Sequence, residues 1–133
     1  MSTESINVLA LFVADRYRTR VWISDRAAEA LGEYSSRTQP RGAFLRKLER
    51  YAENGFEHYC RGDGSPIKHE WEQVFRIGDG GLFRLIGFFD GDRDFVIIDA
   101  FLKKKQKLGG AERDRIDEVR RIREAKRWRR KGT

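Results

Sequence analysis

The side chains in this sequence with the most chemical potential are cations set among apolar residues. Leu82 to Phe89 reads as a strand. Alternation puts Arg84 on the face it shares with Leu82, Ile86 and Phe88, where a cation is out of place. Two partners would satisfy it. Asp99, equally alone among Phe95, Ile97 and Phe101, could accept it in an ion pair within the sheet. Alternatively, Arg84 reaches a cleft and binds a phosphate through its planar fork of donors, with Arg76 on the preceding strand beside it. Lys103-Lys104-Lys105-Gln106-Lys107 follows the last strand directly. Such a run also serves as a plain solvated exit, but here alternation sends one or two lysines over the face that carries Arg84.

Other chemistries find little support. The chain has no phosphate-cradling P-loop and no GxGxxG. Its two histidines, His58 and His69, lie in no metal-ligand spacing with Cys60 or the acids, so neither a metal nor a cofactor is expected. Nothing marks a Ser-His-Asp or Cys-His site. His58-Tyr59-Cys60 reads as surface or helix-cap structure. Arg61-Gly62-Asp63 lies in a run of turn-formers ending at Pro66 and reads as turn chemistry, because a cell-adhesion role needs an extracellular protein. The lone cysteine forms no internal disulfide, which points to a reducing compartment and a cytoplasmic location.

The elements that must position these cations follow from periodicity. At 133 residues and 39% hydrophobic content, residues 1–133 are expected to form one domain with a true core, and no apolar run is long enough to span a membrane. Val8 to Val13 and Arg20 to Ser24 read as strands; the apolar stretch Ile6 to Ala14 lacks the preceding Lys or Arg and the cleavage site of a secretory signal. Ser24 or Asp25 would cap a short helix over Arg26 to Tyr34. A second helix runs from Pro40 to the stop at Asn54-Gly55, with Phe44, Leu45, Leu48, Tyr51 and Ala52 on one stripe. This helical hairpin needs a sheet to cover. Glu70 to Ile77, Leu82 to Phe89 and Asp94 to Leu102, separated by Gly-rich turns, predict an antiparallel meander holding six of the nine phenylalanines, and therefore the core.

A last helix is predicted from Ala111 to about Lys131, its end fraying into solvent. Ile116, Val119, Ile122, Ala125 and Trp128 recur every three residues on it, so only two or three can face one core. Residues 1–102 carry 14 Lys/Arg against 16 Asp/Glu, whereas 103–133 carry 14 against 5, so a balance of −2 gives way to +9. That asymmetry, shared between the lysine run at 103–107 and the basic C-terminal helix of 111–133, is a footprint for a polyanion or an acidic partner.

In this order the pieces resemble the RelE/ParE toxin superfamily, most closely its HigB-like, phage-derived branch of type II toxins. The carriers are Phe75-Arg76, the aromatic-Arg-aliphatic strand Phe83-Arg84-Leu85-Ile86, and the aliphatic strand Val96 to Leu102 running into Lys103-Lys104-Lys105-Gln106-Lys107. Leu48 to Gly55 adds a Leu-x-x-Tyr-Ala-x-x-Gly-like stretch. The resemblance covers about residues 20 to 127. It implies an α+β fold, with N-terminal strands and a helical hairpin packed on a twisted antiparallel meander and a basic helix at the end. It implies a toxin acting as a metal-independent endoribonuclease on mRNA, often on the ribosome, restrained by an antitoxin with a helix-turn-helix part. The ribose 2′-OH would attack the adjacent phosphorus. Arg84 would stabilise charge on the phosphate oxygens with Arg76 assisting, and Lys103 or Lys104 would orient the 2′-OH or act as the acid. Lys68, His69, Lys105 and Lys107 would contact RNA. The sequence departs from relatives that carry a Tyr or His late in the site, and the general base stays open among His58, Tyr59, His69, Glu70 and Glu72. Alternatives are a non-catalytic member of the superfamily, such as a gyrase inhibitor, or a basic nucleic-acid-binding module.

Overall fold

A computed structural model describes residues 5–37, 42–62, 64–79, 81–103 and 110–131. Its strands are β1 (Ile6–Phe12), β2 (Arg20–Ser24), β3 (Ile67–Trp71), β4 (Val74–Gly78), β5 (Phe83–Asp90), β6 (Asp94–Leu102) and β7 (Trp128–Arg130). The helices are α1 (Asp25–Arg37), α2 (Ala43–Asn54) and α3 (Gly110–Glu124), with a 3-10 turn at Phe56–Cys60. The strands form one open α+β sheet in the order β3-β4-β5-β6-β2-β1-β7.

Helices lie on both faces of this sheet. On one, α1 and α2 bring Ala27, Leu31, Phe44, Leu48 and Ala52 against Val21, Ile23, Leu85, Phe95 and Ile97. Ser24 starts α1 as expected, its Oγ accepting the Ala27 N–H at 3.1 Å. On the other, α3 packs Ile116, Val119 and Ile122 against Val8, Trp22, Ile86, Phe88, Val96 and Ile98. The three-residue stripe therefore buries three positions before it winds away. Because β5 and β6 are covered twice, their continuous apolar runs make sense, each fully buried side chain contributing about 1.5–3 kcal/mol. At Gly87 the two strands come very close across a bulge. A Cβ there would meet the Val96 carbonyl oxygen at 2.2 Å, so only glycine fits.

Three sequence expectations give way. First, Glu70 to Ile77 is not one strand. The chain reverses at Glu72 and Gln73, giving the β3–β4 hairpin and a meander of four strands, with Glu72 in a left-handed conformation at φ 52. No Gly or Asn marks this turn, and the only trace of it in the sequence is the polar pair Glu72-Gln73, which breaks the alternation. Second, the sheet is mixed rather than an antiparallel meander alone. β2 lies parallel to β6, pairing Val21 with Phe95 and Ile23 with Ile97, while β1 adds antiparallel to β2.

Third, the terminal helix stops at Glu124 instead of continuing to Lys131. The Lys126 N–H donates to the Arg123 carbonyl at 3.2 Å and the Arg127 N–H to Ile122 at 3.0 Å. The chain then returns as β7, parallel to β1, with Ile6 opposite Trp128. What wins over helical propensity is packing. The Trp128 ring meets Phe88 with centroids 5.5 Å apart. The Arg130 guanidinium lies 5.2 Å from the Trp22 ring and 5.1 Å from that of Trp128, and pairs with Asp90 and Asp94.

Asp99, wholly buried on β6, is held by other partners than Arg84. The bulge sets it opposite Ile86 while Arg84 faces Phe101. Arg115 from α3 forks onto it with two donors at 2.7 Å, Arg26 from α1 approaches to 3.3 Å, and the Ala100 N–H donates at 2.8 Å. Removing Asp99 would leave Arg115 and Arg26 facing an empty apolar site. Asp99→Ala is expected to destabilise the fold by about 3 kcal/mol, measured by urea unfolding at pH 7; a loss below about 0.5 kcal/mol would mean the pair contributes nothing net.

Candidate nucleic-acid interface

With Asp99 engaged by α3 and α1, Arg84 stands on the α3 face of the sheet without a carboxylate bonded to it. Its Nη1 donates to the carbonyls of Gly81 at 2.7 Å and Phe83 at 2.9 Å. Its Nε–H is buried with no hydrogen-bond partner, a condition that costs about 1–3 kcal/mol unless something completes it. Gly78 lies opposite Arg84 on β4, where a Cβ would come to 3.0 Å of Nη1 and push the guanidinium aside by a few tenths of an ångström.

The β-register places further cations beside it. Arg76 lies two residues along β4 from Gly78, on the same face, and Lys68 of β3 pairs with Arg76 across the hairpin. Arg76 pairs with Glu70 at 3.3 Å. Lys103 follows β6 on the Arg84 side. Its backbone N–H donates to the Leu82 carbonyl at 2.7 Å and its side chain is nearly enclosed, at 5% exposure. These groups shift one another. Burial lowers the pKa of Arg84, and the charge of Arg76 lowers it further. Lys103 is lowered by burial, then by Arg84 and Arg76.

Lys68, Arg76 and Arg84 line a cleft of about 550 Å³ at the end of the sheet; Lys103 is not part of its lining but is close enough for the charges of Arg84 and Arg76 to act on it. Its opposite wall comes from α2, as Lys47 and Tyr51, and its rim from Gly64, Ser65, Pro66, Asp79 and Gly81. Asp79 is fixed by the Gly81 N–H at 2.8 Å and by the Tyr34 hydroxyl, whose ring stacks on Phe83 with centroids 4.2 Å apart. Burial, then Tyr59, raises the Tyr51 pKa. In shape and charge the cleft suits an anion with a planar group attached.

The predicted site residues thus divide. Arg84, Arg76, Lys103 and Lys68 come together. His69 does not. Its ring lies on the other face against Phe75, with centroids 5.3 Å apart, and its Nε2 meets the Glu72 carbonyl. Lys104, Lys105 and Lys107 lie outside the described residues. Among the candidates for a base, Glu70 alone bears electrostatically on both Arg84 and Lys103. Lys47 and Tyr51 escaped the sequence reading because Tyr51 was absorbed into the apolar stripe of α2; their spacing of four on one flank of the helix was the available signal.

Among the described residues, no three His, Cys, Asp or Glu side chains converge to hold a metal ion, and no helix is long and apolar enough to cross a membrane. No protein-family model and no curated protein matches this chain.

Lys103 makes a pH prediction. It titrates lower in the fold than in the unfolded chain, so between its folded value and the ordinary 10.5 the unfolded state binds the extra proton. Stability therefore rises with pH across that window. Lys103→Met is expected to remove this rise and to raise stability at pH 7, as measured by urea unfolding from pH 7 to 11; an unchanged pH slope would mean Lys103 is not desolvated.

Proposed function

We propose that this chain is a RelE/ParE-type, HigB-like toxin: an endoribonuclease that cuts mRNA without a metal and inhibits translation, on the ribosome or off it, until an antitoxin of helix-turn-helix type binds it. The observation that carries the reading is the unpartnered, buried Arg84 Nε within a cleft of cations. The enclosed Nε holds the guanidinium in place, and an anion in the cleft would meet the remaining Arg84 donors beside Arg76 and Lys68. The order of elements, with a helical hairpin before a meander whose last strand runs into lysines, supports the same reading.

On this proposal Arg84 and Arg76 hold the two non-bridging oxygens of the scissile phosphate, with Lys68 on the neighbouring one. The 2′-oxygen attacks phosphorus and its proton passes to the Glu70 carboxylate. The bond from phosphorus to the 5′-oxygen breaks, and Lys103, its pKa lowered by its neighbours, gives that oxygen a proton. The products are a 2′,3′-cyclic phosphate and a free 5′-hydroxyl, with no change of oxidation state. Tyr51 and Lys47 would meet the flanking nucleotide from the α2 wall.

Expression of the wild type should arrest growth and create new 5′ ends in mRNA, resolved by primer extension. Arg84→Ala should cut the cleavage rate about 100- to 1,000-fold, as for loss of one preorganised donor to a developing oxyanion. Cleavage by the purified protein should survive EDTA. Unchanged cleavage by the variant would remove Arg84 from the mechanism. Growth arrest with no new 5′ ends would favour the non-catalytic, gyrase-inhibiting reading.

A further inference from the structure

The opposite edge of the sheet carries a second set of cations. β7 lies four strands from β5, roughly 19 Å away at about 4.8 Å per strand. At the turn that feeds it, Lys126 sits at φ 53, the left-handed position that closes α3. Glycine is the usual residue there because a Cβ is strained in that conformation. Here that strained position is filled by a cation whose side chain is exposed. On β7, alternation points Trp128 and Arg130 at the core, which turns Arg129 and Lys131 to the other side. Their Cα atoms are about 6.8 Å apart, a separation that suits successive phosphates of one nucleic-acid strand.

Charge in this region is uneven for a definite reason. The nearby acids are engaged: Asp117 by Arg120 and Arg121, Glu124 by Arg120, Asp90 and Asp94 by Arg130. None of the ion pairs among the described residues includes Lys126, Arg129 or Lys131, and all three are exposed. A charge on an edge strand also discourages edge-to-edge pairing, but Lys126 and Lys131 lie outside β7 itself.

We propose that Lys126, Arg129 and Lys131 form a second contact for the phosphodiester backbone of RNA, separate from the Arg84 cleft, so that a long RNA is held at both edges of the sheet. This rests on the nucleic-acid reading of the cleft and adds to it a preference for long substrates.

The test uses full-length protein and RNA made non-cleavable by 2′-O-methylation, one probe of about six nucleotides that the cleft alone can hold and one of about 40, followed by anisotropy across a salt series. For the triple variant Lys126→Gly, Arg129→Ala, Lys131→Ala, affinity for the long RNA should fall about tenfold or more relative to the short one. The slope of log affinity against log salt should flatten by about 2, for three phosphates released from a single strand. Lys126→Gly alone should raise Tm by a few degrees while weakening the long RNA, opposite signs that mere structural damage would not produce. Equal affinity and slope for wild type and triple variant would overturn the proposal, as would equal losses on both probes. Because the probes are not cut, a failure of Arg84→Ala to stop cleavage would count against the cleft mechanism and leave this measurement intact.

Discussion

Asp99 sits wholly buried in the middle of the sheet, and a carboxylate there survives only because α3 and the start of α1 bring arginines to it. Arg115 approaches from above the α3 face and Arg26 from the first turn of the helix on the opposite side, so one side chain ties together all three layers. Arg26 reaches onward to Glu118 at 2.7 Å, which joins α1 to α3 directly. The apolar stripe of Ile116, Val119 and Ile122 holds α3 against β5 and β6, and this arrangement of charges fixes where along the sheet it sits.

The same arrangement decides what happens to Arg84. In the sequence, Arg84 and Asp99 are two misplaced charges that could cancel. In the fold they are diagonal neighbours on one face, yet Asp99 is already occupied by two guanidinium groups. Arg84 is left to curl onto backbone carbonyls with one donor unfilled, next to Arg76 and Lys103. A concentration of like charge in a partly enclosed cleft opposes folding, and proteins keep such arrangements where a ligand relieves them.

Much of this was legible before any coordinates. Apolar runs between Gly-rich turns located β5 and β6, Ser24 or Asp25 marked the start of α1, Asn54-Gly55 the end of α2, and alternation put Arg84 on a face over which one or two of the lysines after β6 project, with Arg76 beside it. What stayed hidden has physical causes. The Glu72-Gln73 turn uses residues without turn chemistry, so the break in alternation there carries no Gly, Asn or Pro to mark it as a reversal. The parallel β2–β6 pairing joins segments more than seventy residues apart, a relation that no local signal encodes. Residues 125–131 have helical composition, but the partners that pull them into a strand, Phe88, Trp22 and Asp94, are remote in sequence. The choice between Asp99 and a cleft for Arg84 turned on Arg115 and Arg26, whose reach across the sheet only the packing reveals.

The β1–β7 pairing has a consequence for the order in which the protein is made. Ile6 and Trp128 are neighbours in the sheet but 122 residues apart in the chain. As the polypeptide leaves the ribosome from its N-terminal end, β1 has its β2 partner early, while its outer edge and the face of Phe88 stay uncovered until residues 128–130 emerge. The sheet is therefore completed only once residues 128–130 have emerged, and until then the nascent chain presents an open edge strand to its surroundings.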